Sequence, residues 1–173
     1  RRWASHVIDS TASTSNALKQ EIRTRFSDWG EAGMTLAVIS FGFSRGLPRN
    51  ADLVFDMRFL QNPYWDAALR PMTGQDEAVA AYVRADPAYE EAVSKIEDLL
   101  LTLLPRYGAE GKAYVTIALG CTGGRHRSVH IAERVARHLA EHGFAPTLSH
   151  RDLGGSGNGT VDEATEIGRR PKN

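Results

Sequence analysis

The sequence predicts an α/β domain in which a small, mainly parallel sheet is covered by helices. Short apolar runs rich in β-branched residues at 34–43, 51–57 and 112–120 are typical of buried strands. Segments with helical spacing at 76–104 and 127–142 alternate with these runs. Strands that alternate with helices favour parallel pairing, and ligands of such sheets bind beyond the carboxyl ends of the strands.

The first half of this domain contains two predicted strands, an irregular loop and two helices. The first strand covers 34–43, and the second covers 51–57 with Asp56 near its end. Prolines interrupt 58–71, which is therefore predicted to be a long irregular loop of the kind that often carries a functional site. A helix is predicted at 76–84. The next helix opens near Pro87, should end at Pro105, and has an apolar stripe at Tyr89, Val93, Ile96, Leu100 and Leu104.

The second half repeats the pattern of a strand followed by a helix. The run at 112–120 is the strongest strand in the chain, and Gly120 is expected to stop it. Apolar residues then recur every four positions, which predicts a helix over 127–142 that ends at Gly143. A last short strand is predicted at 147–150.

Composition limits the classes of protein to which the chain can belong. The 173 residues contain 21 basic and 21 acidic side chains, so net charge gives no argument for nucleic acid or membrane, and an anion site must be local. A single cysteine excludes an internal disulfide framework and favours a reducing compartment. No apolar run approaches the roughly 20 residues that span a bilayer. These features predict a cytoplasmic protein without metal.

The chain is expected to have three parts. Residues 1–32, with a predicted strand at 4–9 and a helix at 17–22, resemble the end of a preceding domain or a linker, because one such unit cannot bury a core alone. Residues 33–153 form the α/β ligand-binding domain. Residues 154–173 begin with a glycine-rich stretch and are expected to form a flexible tail.

The segment 120–128, GCTGGRHRS, is predicted to bind a phosphate. Glycines at 120, 123 and 124 allow a sharp turn that brings backbone N–H groups towards one point. The positive end of the following helix and the guanidinium groups of Arg125 and Arg127 add to these donors. Thr122 and Ser128 lie in the same segment. The alternative is a glycine-rich connection whose arginines simply face solvent.

Cys121 and Arg127 also have the spacing found in the signature loop of cysteine-dependent phosphatases. A thiol at a helix start beside arginines is expected to have a lowered pKa, as a nucleophile requires. Gly120, however, stands where that family usually has a histidine, and the general acid is unassigned, with Asp56 and Asp66 as candidates. The other interpretation makes Cys121 a small side chain that packs beneath the loop, with no catalytic residue in the domain.

Histidines and arginines near this loop leave two further alternatives open. His126 either bonds a phosphate oxygen or sugar hydroxyl, or faces solvent. On the following helix, a basic face can contact RNA phosphates or can simply be solvated. Its members are His130, Arg134, Arg137 and His138.

Four motifs in order resemble the carboxy-terminal domain of the RapZ family. They are SFGF at 40–43, the run from Asp52 to Asp66 containing VFDMRFLQNPYWD, LRPMTG at 69–74 and IALGCTGGRHRSV at 117–129. The resemblance covers about 34–153. It implies a bacterial protein with an amino-terminal P-loop domain for ATP or GTP, of which 1–32 would be the tail. In enteric members the carboxy-terminal domain senses glucosamine-6-phosphate and presents small RNAs to an endoribonuclease.

For the site, the resemblance implies one pocket built from two separate stretches of chain. Asp56, Arg58, Asn62 and Arg70 would read the sugar, while the stretch that binds the phosphate would supply Cys121, Thr122, Gly123, Gly124, His126, Arg127 and Ser128. No Gly-x-x-x-x-Gly-Lys-Ser/Thr segment is present, so this domain is expected to hold no cofactor and to act as a binding module.

The resemblance also implies partners. The expected partners are a phosphorylated small molecule, small RNA and an endoribonuclease, with no membrane, and homo-oligomers are left open. Enteric members end in a cluster of lysines and arginines, whereas this chain runs through a glycine-rich stretch to GRRPKN at 168–173, which departs from that pattern. The candidates for RNA contact are Arg134, Arg137, Arg169, Arg170 and Lys172. Family members can carry histidine where Tyr64 stands.

Overall fold

The computed structural model describes Thr14, Leu18 and residues 34–154. The predicted strand at 4–9 and the glycine-rich tail from 155 lie outside these residues, as does all of the helix predicted at 17–22 except Leu18. Within 34–154 the strands are β1 Thr35–Gly42, β2 Leu53–Asp56, β3 Tyr114–Cys121 and β4 Pro146–His150. The α-helices are α1 Glu77–Arg84, α2 Tyr89–Ala109 and α3 Arg127–Glu141, and two 3₁₀ turns cover Phe43–Arg45 and Pro63–Trp65.

The sheet confirms the predicted α/β fold. Its four strands are all parallel and lie in the order β2, β3, β1, β4. The register places Gly42 opposite Cys121 and Asp56 opposite Gly120, so the carboxyl ends of the three strands meet at one edge. This edge is where a parallel sheet offers space for a ligand.

The core follows from the periodicities of the sequence. Val38 and Ile117 on the two central strands are fully buried. They belong to one cluster with Ile131, Val135 and Leu139, the apolar stripe of α3. This packing holds α3 against the sheet, and thus fixes its first residue, Arg127, at the carboxyl edge of β3.

The prediction that Pro105 ends its helix is wrong. Helix α2 continues through Pro105 to Ala109. A proline inside a helix lacks one hydrogen bond and crowds the preceding turn. The turn that contains it nevertheless buries Leu104 completely and packs Tyr107 against the core, so tertiary packing outweighs the local preference.

The prediction that Gly120 stops its strand is also wrong by one residue. Strand β3 includes Gly120 and Cys121, and the Gly120 carbonyl accepts a hydrogen bond of 2.7 Å from the N–H of Met57. A Cβ atom at Gly120 would lie 2.5 Å from the Phe41 ring and 2.6 Å from the Phe43 ring. Close packing against two phenylalanines, rather than strand termination, therefore requires glycine here.

Candidate functional site

A tight turn over residues 122–126 joins β3 to α3 and lies against the end of β1. Gly124 has φ of +71°, a conformation that glycine adopts readily. A Cβ atom on Gly124 would also come within 2.5 Å of the Gly42 nitrogen. The two glycines therefore let the backbone of the turn cross the end of the neighbouring strand at close range.

Cys121 lies beneath this turn, with its sulfur surrounded by hydrogen-bond donors. The residue is 3% exposed, and its Sγ lies 3.1 Å from the Ser128 hydroxyl oxygen. Burial alone would raise the pKa of the thiol, but bonds from the Ser128 hydroxyl and from the backbone N–H groups of Ser128, Gly124 and His126 lower the pKa overall. The amides predicted to gather around an anion do converge, and they converge at the sulfur.

Arg127, the first residue of α3, is buried without a carboxylate partner among the described residues. It is 4% exposed, and its Nη1 donates to the backbone carbonyls of Arg58 at 3.0 Å and Leu60 at 2.8 Å. Its Nη2 donates to the Thr122 hydroxyl at 3.3 Å. Its Nε is buried and has no hydrogen-bond partner within this part of the chain. Burial lowers the pKa of this guanidinium, and the nearby negative charges of Cys121 and Asp56 oppose that shift only in part.

A cavity of about 440 Å³ opens above Cys121 and Arg127. The structure here joins the two stretches of chain that the sequence analysis paired, because Asn62 and Arg70 line the same cavity as the turn. The complete lining is Asn62, Tyr64, Trp65, Arg70, Cys121, Thr122, Gly123, Arg125, His126 and Arg127. Its volume falls within the range of about 300–1,000 Å³ that is typical of small-molecule sites.

Four of the predicted site residues do not line the cavity. Asp56 and Arg58 bind each other, with Arg58 Nη2 2.6 Å from a carboxylate oxygen and the guanidinium 4.0 Å from the centre of the Phe43 ring. The hydrogen bond from Arg58 lowers the pKa of Asp56, so this carboxyl is ionised and ill suited to serve as a general acid. Ser128, with no exposed surface, supports Cys121 from below, and Gly124 shapes the turn.

Arg125 lines the cavity but directs its guanidinium away from the centre of the turn. Its Nε donates to the Met72 carbonyl at 2.8 Å, and its Nη2 donates to the Pro71 carbonyl. The backbone of Arg125 in turn accepts a 2.9 Å bond from Gly74, where a Cβ atom would collide with the His126 carbonyl. Arg125 thus fastens the 69–74 segment to the turn. Its expected contact with an anion stays a prediction.

Sequence reasoning missed Tyr64 and Trp65 as lining residues. Their rings meet edge to face with centroids 5.7 Å apart, and the Arg70 guanidinium lies 4.9 Å from the centre of the Tyr64 ring. Arg70 Nε also donates to the Tyr64 carbonyl at 2.9 Å. The signal that was available is a pair of aromatic residues directly after Pro63 in a loop that borders a predicted site.

His126 is buried rather than solvent-facing. It is 7% exposed, and its Nε2 lies 3.3 Å from the Arg70 carbonyl. Burial lowers its pKa, so the ring is neutral near pH 7. Because a carbonyl only accepts hydrogen bonds, Nε2 carries the proton and Nδ1 is left as an acceptor.

The basic face expected on α3 is interrupted. His130 is 7% exposed, and its Nε2 lies 2.8 Å from the Tyr89 hydroxyl. Arg134 donates four hydrogen bonds of 2.8–3.0 Å to the carboxylates of Glu90 and Glu97. Only Arg137 of the RNA candidates is both described and exposed, since Arg169, Arg170 and Lys172 lie outside the described residues.

Neither a cluster of metal ligands nor a membrane-spanning helix is found among the described residues. Within 34–154 no three His, Cys, Asp or Glu side chains are grouped so that they could hold a metal ion. Among the helices of that same stretch, none is long and apolar enough to cross a membrane.

Comparison with known proteins agrees with this geometry. A family model described as the RapZ C-terminal domain matches residues 34–154. That span contains the seven strands and α-helices whose bounds are given above, and the whole cavity.

Curated relatives extend the match beyond this domain. A protein of Sphingopyxis alaskensis is 67% identical over 153 residues, which is 88% of this chain and 48% of the relative. Proteins of Novosphingobium aromaticivorans and Rhizorhabdus wittichii are 60% and 57% identical over the same share of this chain, and 50% and 49% of their own lengths are covered. All three are named nucleotide-binding protein. The chain thus spans about half the length of these relatives.

Proposed function

The chain belongs to the family of RapZ C-terminal domains, and on this premise we propose that it is a regulatory module that binds a phosphorylated small metabolite. The proposed ligand is an amino sugar phosphate, of which glucosamine-6-phosphate is the example. Its phosphate would occupy the cavity beside the 122–126 turn, and its sugar would face Asn62 and Arg70. The module itself performs no chemistry on the ligand.

The observation that carries this proposal is the state of Arg127. A buried guanidinium that donates hydrogen bonds to neutral oxygens, and whose Nε has no partner among the described residues, is costly to the folded protein. The charges of Cys121 and Asp56 compensate it only in part. An anion in the adjoining cavity would supply the missing acceptor and further negative charge. Arginine suits phosphate because its planar donors match two oxygens at once.

The neighbouring donors support the same ligand. The turn stands at the amino end of α3, whose dipole favours negative charge. Thr122 offers a hydroxyl group, and Arg70 retains Nη donors beyond the Nε that binds Tyr64. No carboxylate is among the ten lining residues of the described chain, so no acidic side chain of the wall repels a phosphate.

Calorimetry with glucosamine-6-phosphate, glucose-6-phosphate and inorganic phosphate tests the proposal. We expect saturable binding that Arg127→Ala weakens by about 10- to 100-fold, the equivalent of about 1.5–3 kcal/mol for a charge-assisted contact. Arg137→Ala is the matched control, because Arg137 is an exposed arginine of the same helix outside this cavity. A weaker affinity for glucose-6-phosphate than for glucosamine-6-phosphate would identify the amino group as part of what is recognised. Equal affinity of wild type and Arg127→Ala for every phosphate would refute the site.

The other functions of the longer protein are proposals too. We propose that the complete protein is cytoplasmic, binds ATP or GTP in its other half, and presents small RNA to an endoribonuclease. The name nucleotide-binding protein, which the relatives carry, supports the first of these activities. A gel-shift titration of RNA across salt concentrations tests the second, because binding through phosphates must weaken steeply as salt rises. Binding that is indifferent to salt would contradict it.

A cysteine-dependent phosphatase is the second candidate, and the hydrogen bonds around Cys121 favour it. In such an enzyme the thiolate would attack phosphorus while the ester P–O bond breaks, and water would later cleave the phosphocysteine to release inorganic phosphate and the thiolate. The leaving oxygen needs a proton, yet neither candidate acid lines the cavity, since the Asp56 carboxylate is bound by Arg58 and the Asp66 carboxylate accepts a bond from the Ala68 N–H. This lack of a placed acid makes the binding module the better-supported function.

Incubation with p-nitrophenyl phosphate separates the two candidates. The binding module predicts no turnover above that of a Cys121→Ser variant. Turnover that this variant abolishes, and that Arg127→Ala reduces, would establish the phosphatase. Cys121→Ser retains a small hydroxyl beside Ser128, so it tests nucleophilicity with little change in packing.

A further inference from the structure

We infer that Trp65, supported by Tyr64, recognises the sugar ring of the ligand, so that tight binding requires a ring as well as a phosphate. This inference rests on the phosphate site proposed above. It assigns the specificity of that site to an aromatic wall that the sequence analysis did not single out.

The exposure of Trp65 is the first observation. It lines the cavity and yet is 77% exposed, while its neighbour Tyr64 is 49% exposed. A tryptophan gains more than most residues from burial, so one left at the rim of a cavity indicates a surface that a ligand covers.

The rigidity of the support is the second observation. Trp65 lies in the 3₁₀ turn Pro63–Trp65, which begins at Asn62. The Asn62 side chain accepts a bond of 3.3 Å from the Tyr64 N–H, and its carbonyl accepts one of 3.2 Å from the Trp65 N–H. Pro63 is buried. The indole is therefore presented by a fixed turn, as a preorganised binding wall requires.

The chemistry of the wall favours a sugar ring. The indole has a broad apolar face with negative π density and one N–H at its edge. A pyranose has a matching face of weakly positive C–H bonds, and its hydroxyl groups lie around the rim. Tyr64 already carries the Arg70 guanidinium on its own ring, whereas the indole of Trp65 meets Tyr64 edge to face and remains largely exposed. One-sided stacking suits a sugar whose opposite face stays hydrated.

The positive charge of the cavity completes the match. Arg70, Arg125 and Arg127 all line it, and they bond to backbone carbonyls. Phosphate is thus held at the 122–126 turn, while the aromatic pair at 64–65 forms another part of the same wall. A phosphomonoester on a six-membered sugar ring has both features that the cavity offers.

Fluorescence of Trp65 is a direct readout of this contact. The chain has three tryptophans, so Trp3→Phe with Trp29→Phe leaves Trp65 as the only one. We expect glucosamine-6-phosphate to change the emission of this variant saturably, with the same Kd that calorimetry gives. Inorganic phosphate should compete with the sugar phosphate but should change the emission much less.

Substitution of the indole separates ring recognition from phosphate recognition. We expect Trp65→Ala to weaken glucosamine-6-phosphate about tenfold, to leave inorganic phosphate within about twofold, and Trp65→Phe to restore part of the loss. Phe59→Ala is the matched control, since Phe59 is 50% exposed in the same loop but does not line the cavity. Arg127→Ala should weaken both ligands.

The outcomes that overturn the inference differ from those that overturn the site. If Trp65→Ala leaves the affinity for glucosamine-6-phosphate unchanged while Arg127→Ala weakens it, the phosphate site stands and the aromatic wall does not. The wall is also refuted if glycerol-3-phosphate, which has no ring, binds as tightly as the sugar phosphate, or if AMP binds more tightly. If no phosphate compound binds to the wild type, both proposals fail.

Discussion

Arg127 and Arg134 stand seven residues apart on α3, and their surroundings are opposite. Arg134 has two carboxylate partners, the exposed Glu90 and the buried Glu97. Arg127 is the more deeply buried of the two and has only backbone carbonyls and one hydroxyl group. The first arginine is therefore paired directly with carboxylates inside the protein, and the second is not.

This difference distinguishes Arg134, which stabilises the fold, from Arg127, which we propose to bind the ligand. The carboxylates of Glu90 and Glu97 stabilise the cation of Arg134 and fasten α2 to α3. Arg127 has no bonded carboxylate among the described residues, although the charges of Cys121 and Asp56 act on it. A buried charge without a bonded counterion often marks a place where function, rather than stability, sets the residue. Variants along α3 can test whether the two arginines are separable in this way.

The largest effect is expected for Arg134→Ala. The substitution leaves the Glu97 carboxylate, 5% exposed, without its cation, which costs about 3–5 kcal/mol of the free energy of unfolding when a buried pair is broken. Urea denaturation measures the loss. Arg134→Leu combined with Glu97→Leu should recover most of it, because no charge then remains unpaired. If Arg134→Ala were as stable as the wild type, the ion pair would contribute nothing to stability. Arg134 would then not differ from Arg127 in the way described.

The next effect concerns His130, which lies between the two arginines on the helix. Burial, followed by the charges of Arg84, Arg134 and Arg137, lowers its pKa from 6.5 to about 4. In the unfolded chain the His130 imidazole takes up a proton near pH 6.5, whereas in the folded chain it does so only near pH 4. The contribution of His130 to the free energy of unfolding is therefore fully present above about pH 6.5. It falls by on the order of 3 kcal/mol as pH decreases towards 4.

Denaturation at several pH values between 7 and 4 checks the sign of this effect. His130→Gln removes the titrating group while it keeps a side chain able to bond the Tyr89 hydroxyl. The stability of the wild type should fall more steeply with acid than that of the variant. Parallel curves would mean that His130 takes up its proton without cost in the folded state.

A smaller effect is expected when phosphate is added to the two arginine variants. Phosphate that binds only the folded protein raises Tm, and the rise corresponds to about 2.7 kcal/mol at a hundredfold excess over Kd. Arg134→Ala should keep this response from a lower starting Tm. Arg127→Ala should lose most of it. An equal rise in both variants would show that Arg127 is not where the anion binds.

The smallest effect is expected for Glu90→Gln. The side chain of Glu90 is 72% exposed, so water replaces much of its interaction with Arg134, and its loss should lower the free energy of unfolding only slightly. Glu97→Gln, at the buried end of the same cluster, is the matched comparison and should cost more. If the two substitutions proved equal in urea denaturation, burial would not be what sets the strength of this ion pair.

Local periodicity was enough to predict most of the fold. The strands and helices fall within a few residues of their predicted bounds, and the parallel pairing follows from the alternation of elements. Pro105 and Gly120 were the exceptions. In both cases a contact distant in sequence decides: the burial of Leu104 keeps the helix intact, and the rings of Phe41 and Phe43 leave no room for a side chain.

Part of the site was predictable, because the types of its residues and their order in the chain indicate their chemistry. The run 120–128 identified a turn with converging amides, and family resemblance paired it with the loop that contains Asn62 and Arg70. Directions of side chains were not predictable, because they depend on which carbonyl is nearby. Arg125 turns towards Pro71 and Met72, and Asp56 holds Arg58 outside the cavity.

Asp152 has a practical consequence for anyone who shortens this protein. Its carboxylate accepts a bond of 2.7 Å from the Gly42 N–H, and thus fixes the strand end across which Gly124 passes. A truncation based on secondary structure alone would end at His150, the last residue of β4. Such a cut would remove this bond from the strand end that supports the 122–126 turn, so a minimal fragment intended for crystallisation or ligand screening has to reach at least residue 152.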